Sequence, residues 1–340
     1  MDYYFYVGCY TKDPGGKGIH LLRFDTEAGK LSHADAYYGA QSPSFLIRHG
    51  DFLYAANESG GAGRASALKI GQDRSLTYLN TVEASGAGTC QVAEMNGYLY
   101  GACYSSGTVF GAEILRDGSL GKITADIQHE GSGPVPGRQQ NPHAHSVNPV
   151  PGSDMLIAAD LGADRLFCYR QQKDGSLTLE AAVPSPPGAG PRHMAFSPDG
   201  KRVYVAMELS VTVCCYEISD SGLEFEAEYP LTIGAPDKGD SAADIHFTAD
   251  GTKLFATVRG KNLNTVFSAG EGGKLEWAGT YPTCGDSPRN FCLTPCEKYA
   301  VTANQASGHI TVCPIGEGGA IGEMIDCVVL PAPSCVIGAE

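Results

Sequence analysis

Residues able to move protons and hold anions are gathered in short motifs scattered along the 340-residue chain. They are Asn141-Pro142-His143-Ala144-His145, Pro191-Arg192-His193, Met207-Glu208, Asp244-Ile245-His246, Val258-Arg259 and Ser287-Pro288-Arg289-Asn290. A carboxylate or a neutral imidazole can take a proton from water. A guanidinium can stabilise an oxyanion, or grip a phosphate or carboxylate through two parallel hydrogen bonds. These motifs lie far apart in sequence, so they form a site only if the fold gathers them.

The elements that must do so are repeated. Seven times a Gly- or Asp-rich turn leads into an aliphatic residue opening a strand, as in Arg116-Asp117-Gly118-Ser119-Leu120, Lys173-Asp174-Gly175-Ser176-Leu177 and Ser219-Asp220-Ser221-Gly222-Leu223. The aliphatic positions, Leu31, Leu76, Leu120, Leu177, Leu223, Leu275 and Ile321, are 45, 44, 57, 46, 52 and 46 residues apart. That spacing is one four-stranded propeller blade. A second signature recurs in phase: Pro191 to Gly200 reads as an innermost strand and tight turn, leading into Arg202-Val203-Tyr204-Val205-Ala206. Its partners start at Pro43, Thr89, Pro142, Ala242, Pro288 and Pro333, and no helical period competes.

The pattern predicts an all-β, seven-bladed β-propeller forming one domain over residues 1–340. The N-terminus carries only three strands of a blade, Tyr4–Gly8, Ile19–Phe24 and Leu31–Tyr38, while Pro333-Ser334-Cys335-Val336-Ile337 is an innermost strand without a blade. Joining them closes the ring and removes both edges.

Strands alternate in direction from the axis outward, so the start of each first strand and the end of each second strand share one face. The residue after the opening proline is Ser44, His143, Arg192, Arg289 or Ser334, and second strands end with Asn57-Glu58, Cys103-Tyr104, Asp160-Leu161, Met207-Glu208, Val258-Arg259, Asn304-Gln305 and Cys9-Tyr10. Polar groups thus converge on one mouth of the channel, with Arg192 expected at its wet rim. Taken singly, His145 or Asn304 fits a residue that merely holds water or backbone groups. The set of His143, His145, Arg192, His193, Glu208, His246, Arg259 and Arg289 is costly to bury without a purpose.

Composition narrows the classes. A hydrophobic share of 42% suits a packed core, and no run approaches the ~18 apolar residues of a membrane helix. A net charge of −14 argues against nucleic acid or an anionic membrane as partner. The start, Met1-Asp2-Tyr3-Tyr4-Phe5-Tyr6, shows no basic leader, so a cytoplasmic protein is expected. The twelve cysteines lie largely in apolar runs without a CxxC pair, which predicts reduced, buried packing residues.

The same motifs, with Tyr6-Val7-Gly8-Cys9-Tyr10-Thr11, Ala303-Asn304-Gln305 and Asp160-Leu161-Gly162-Ala163-Asp164, resemble the seven-bladed propeller lactonases across essentially the whole chain. That family holds bacterial 6-phosphogluconolactonases and fungal carboxymuconate-cyclising enzymes. The resemblance implies lactone-ring chemistry without an obligatory metal or cofactor, carried by a histidine of the HxH segment (His143 or His145), Arg192 and Glu208. Met207, Asp244 and Cys103 depart from the family's usual asparagine, glutamate and asparagine, the first and third at the channel rim.

The expected catalytic set is therefore Glu208, His143 and Arg192, with Glu208 slightly favoured as base and Arg192 on the oxyanion. His145, His193, Glu58, His246, Arg259, Arg289, Asn290 and Gln305 are expected to bind substrate, a small anionic lactone. The first expectation is 6-phosphogluconolactone hydrolysis by a monomer or small homo-oligomer. Alternatives are cyclisation or hydrolysis of another carboxylated lactone, a metal-dependent lactonase with Glu58, Asp160, Glu208 and His143 on Ca²⁺ or Zn²⁺, and a non-catalytic binding scaffold.

Overall fold

The computed structural model describes residues 1–11, 17–38, 40–219 and 222–339. Of the turn predicted at Ser219–Leu223, Asp220 and Ser221 lie outside the described residues. Seven four-stranded antiparallel sheets surround an axis. In chain order the first six blades run over 43–84, 89–128, 144–184, 191–230, 241–282 and 288–329. The seventh joins the innermost strand Pro333–Gly338 to Asp2–Cys9, Ile19–Asp25 and Lys30–Tyr37. Phe5 pairs with Gly338 and Val7 with Val336, so both ends of the chain share one sheet.

Blade four shows why these sequences form strands. Its second strand, Arg202–Met207, and third, Thr212–Ser219, carry continuous apolar runs over residues 203–207 and 213–216, because neighbouring blades cover both faces there. Its outermost strand, Gly222–Pro230, carries Glu224, Glu226 and Glu228, which blunt the exposed edge. The apolar residues form seven clusters, one between each pair of adjacent blades. Tyrosines of four second strands stitch blades together: Tyr6, Tyr54, Tyr100 and Tyr204 donate to the carbonyls of Arg74, Gly118, Gly175 and Gly273 in the next blade's turn. In the first three of those turns the aspartate accepts from the serine two residues on, and Gly118 and Gly175 adopt φ of 83° and 80°, which glycine tolerates.

Both long repeat spacings are loops on one face. The 57-residue interval contains the connection of residues 129–143 between blades two and three, and the 52-residue interval contains residues 231–240 between blades four and five. All twelve thiols are free, and eight are buried. Cys284 and Cys296 are exposed, a correction to the expectation of buried cysteines. No helix among the described residues is long and apolar enough to cross a membrane.

Candidate functional site

Strand register sorts the channel residues into tiers. The first and second strands pair at Pro43–Asn57, Thr89–Cys103, Ala144–Asp160, Pro191–Met207, Ala242–Val258, Pro288–Asn304 and Pro333–Cys9, each beside a bulge in the inner strand. The bulged residues that follow are Ser44, Cys90, His145, Arg192, Ala243, Arg289 and Ser334. One residue beyond the second-strand partner lie Glu58, Tyr104, Leu161, Glu208, Arg259, Gln305 and Tyr10. The repeat comparison had aligned His143 with Arg192; the register corrects this by two residues. The inner strand of blade three begins at Ala144 rather than Pro142, because Asp160 Oδ1 takes the His143 N–H at 2.7 Å and ends the ladder there.

Glu208 is the hub. Its Oε2 accepts from Arg192 Nε at 3.0 Å and lies 2.9 Å from Arg259 Nη2, while Oε1 accepts from Arg138 Nη2 at 2.5 Å. Burial alone would raise its pKa, but Arg259, Arg192 and Arg138 outweigh that and hold it down at about 2. Met207 does not share this space: like Cys103, it is fully buried in an inter-blade core, so neither touches the channel rim as expected.

Arg192 also departs from expectation. It is 1% exposed, with Nη1 on the Ala243 carbonyl at 2.5 Å, so it is a buried strut and not a rim residue. Burial and the charges of Arg259 and Arg289 lower its pKa to about 10, which leaves it protonated at neutral pH. Arg259 gives Nη2 to the Ala242 carbonyl at 3.2 Å, and its buried Nε has no protein partner.

Of the two HxH histidines, the structure brings His145 to Glu208, with Nε2 3.9 Å from Oε2. Burial, then Arg192, His193 and the other arginines, hold the His145 pKa well below the usual imidazole range, so the ring is neutral. His143 is half-buried, stacks on Tyr104 at 4.6 Å, and bonds through Nδ1 to the Tyr104 carbonyl.

His193, His246 and Asn290 converge instead on Asp244, which they reach at 2.7, 2.8 and 2.6 Å. Burial and Arg192 lower His193 to about 4. For His246, burial opposes protonation, but Asp244 more than offsets it and raises the pKa. These four residues brace the inner strands, and Asn290 Oδ1 also receives the Val336 N–H at 2.7 Å. Asn304 is likewise structural: it is fully buried and donates to Thr311.

Across the mouth, Glu58 accepts from the Tyr10 hydroxyl at 2.5 Å and lies 3.6 Å from Arg289 Nη2. The Arg289 guanidinium sits over the Tyr10 ring at 5.6 Å, leaving donors for an anion. Gln305 and Tyr10 line a neighbouring cavity of about 630 Å³ with Lys17 and Ser307. Among the described residues no cluster of three or more His, Cys, Asp or Glu side chains could hold a metal ion. The considered ligand Asp160 is committed to His129 Nδ1 and two backbone N–H groups, all at 2.7 Å.

Sequence reasoning put Tyr10 and Tyr104 at the mouth without counting them as candidates, and it missed Arg138. The tyrosines occupy the same repeat position as Glu58 and Glu208, a signal that was present. Arg138 lies in the 129–143 connection, outside the repeat, and its only trace was the long interval.

Comparison with known proteins places the chain among propeller lactonases. Residues 4–337 match the family model described as lactonase, 7-bladed beta-propeller. The chain is 33% identical to the 6-phosphogluconolactonase of Bacillus subtilis (strain 168) over 344 residues, covering 98% of this chain and 97% of that protein. It is 32% identical to the 6-phosphogluconolactonase of Formosa agariphila, covering 90% and 91%. The solved periplasmic gluconolactonase of Pseudomonas aeruginosa superposes with a TM-score of 0.94 at 29% identity over 99% of each chain.

Proposed function

Because the chain belongs to the seven-bladed β-propeller lactonase family, we propose that it hydrolyses a small anionic sugar lactone, 6-phosphogluconolactone before others, to the open-chain acid. The observation that carries this reading is the charge at the mouth. Among the described residues Arg138, Arg192, Arg259 and Arg289 form their ion pairs with two carboxylates, Glu208 and Glu58, while Asp244 beside them is taken up by His193 and His246; the balance is a positive surplus in a chain of net charge −14. Such a local surplus draws in an anion that the rest of the surface repels.

In this reading the sequence-favoured base changes. Glu208, held at about 2 by three guanidiniums, is a weak proton acceptor committed to its cations, whereas burial and the same surroundings keep His145 a neutral imidazole with a nitrogen able to take a proton. His145 Nε2 takes a proton from water as the water oxygen bonds to the lactone carbonyl carbon. Arg259 Nε, which has no protein partner, donates to the oxygen that becomes negative. The bond from that carbon to the ring oxygen then breaks, and the ring oxygen leaves with the proton from His145. Glu208 stabilises the transient imidazolium, and Arg192 holds Glu208 in place. Arg289 and Arg138 are left to grip the anionic substituent.

The test is acid release from 6-phosphogluconolactone, corrected for spontaneous opening, before and after exhaustive chelation. Turnover should survive chelation; loss restored by Ca²⁺ or Zn²⁺ would overturn the metal-free route. Failure to accelerate any phosphorylated or carboxylated lactone would overturn the enzymatic reading itself.

A further inference from the structure

The connection of residues 129–143, the longer of the two that interrupt the repeat, is firmly built. His129 is fully buried against Asp160, Gln139 Nε2 donates to the Leu161 carbonyl at 2.8 Å, and Gln139 Oε1 accepts from Val135 N at 3.1 Å. What it delivers to the channel is Arg138. The Arg138 side chain is 40% exposed, against 1% for Arg192 and 16% each for Arg259 and Arg289. One nitrogen, Nη2, carries both recorded hydrogen bonds, to Glu208 Oε1 at 2.5 Å and to the Tyr104 hydroxyl at 3.3 Å. Arg138 is therefore the guanidinium that solvent reaches and that an incoming anion meets first. Glu208 keeps two arginines, Arg192 and Arg259, on its other oxygen, so it stays paired when Arg138 turns away.

We propose that Arg138 is a specificity-determining residue: it takes the phosphate of a phosphorylated lactone and lets go of Glu208 Oε1 as it does so. The inference rests on the lactonase reading and deepens it by assigning a residue to the anionic substituent. A planar fork suits phosphate, because two parallel N–H donors meet two phosphate oxygens. Glu208 released from one of three cations becomes a better partner for the imidazolium forming on His145. Binding of the remote phosphate is thereby coupled to charge at the reacting centre, a use of remote binding energy.

The experiment compares wild type, Arg138→Gln and Arg138→Lys on gluconolactone and on its 6-phosphate, with kcat and KM separated. Arg138→Gln should lose about tenfold more in kcat/KM on the phosphorylated lactone than on the plain one, with Lys recovering only part. Calorimetric binding of 6-phosphogluconate and of gluconate to the same three proteins supplies a readout independent of turnover. Wild type should prefer the phosphorylated ligand and Arg138→Gln should lose that preference. Equal losses on both lactones, or a phosphate preference that survives in Arg138→Gln, would overturn the proposal. A wild type that opens neither lactone yet shows the Arg138-dependent preference overturns the catalytic reading and leaves the anion site standing.

Discussion

At the residue scale the site is a buried carboxylate whose ionisation three arginines guarantee, beside an imidazole that burial first, and the nearby positive charges after it, keep neutral. Both groups are in their basic forms above their lowered pKa values, and they gain protons only as the solution becomes acidic. Activity corrected for spontaneous opening should thus show no rise through the pH window in which an ordinary histidine titrates. A rate rising through that window would show that the base is a histidine of ordinary pKa. Substitution separates the candidates more sharply: His145→Gln should abolish turnover, whereas His143→Gln, which loses a stacked ring at the edge of the site, should keep most of it. The reverse result would return the base to His143. Arg192→Lys tests the strut. The planar fork spans Glu208 and the Ala243 carbonyl, so the variant should lose about tenfold or more in kcat/KM. Its melting temperature should fall as well, since the side chain is fully buried; unchanged stability would contradict the burial described here.

At the scale of elements, regular blades supply most of the site and one irregular connection supplies the rest. Asp160 ties that connection down: it pairs with His129, ends the inner ladder of blade three at His143, and holds the following turn through Ala163 N. Asp160→Asn keeps the shape but removes the charge from fully buried bonds. It should cost about 2 kcal/mol of stability in denaturant melts. It should also raise KM for the phosphorylated lactone, because Arg138 loses its platform. A variant with wild-type stability and KM would mean that the connection is held by other contacts. The sequence pointed to this element only by the length of the 57-residue interval, and it could not give the path of the chain within it.

Over the whole molecule, closure decides stability. The strand Pro333–Gly338 pairs with the N-terminal strand and buries Cys335 and Val336 against blades one and six. Truncation after residue 332 exposes the edge of Asp2–Cys9 and opens two inter-blade cores. The truncated chain should melt at least about 10 °C lower and should aggregate. Melting like the intact protein would show that the ring does not depend on its closing strand.

Blade number, turn positions and closure were legible in the sequence because they rest on local chemistry: alternating strands, Asp-Gly turns and a repeat that spaces them. So was the mouth that carries Glu208, Arg259 and Arg289, since strand direction alone puts those positions on one face. Tertiary structure decided which histidine meets Glu208. A side chain 17 residues away, Asp160, sets where the ladder of blade three begins, two residues later than the repeat comparison put it, and that leaves no compositional mark. It also decided that Arg192 is interior and that Arg138 belongs to the site. Both depend on which distant chain segments pack over a side chain, and that is a property of contacts between blades, not of any one repeat.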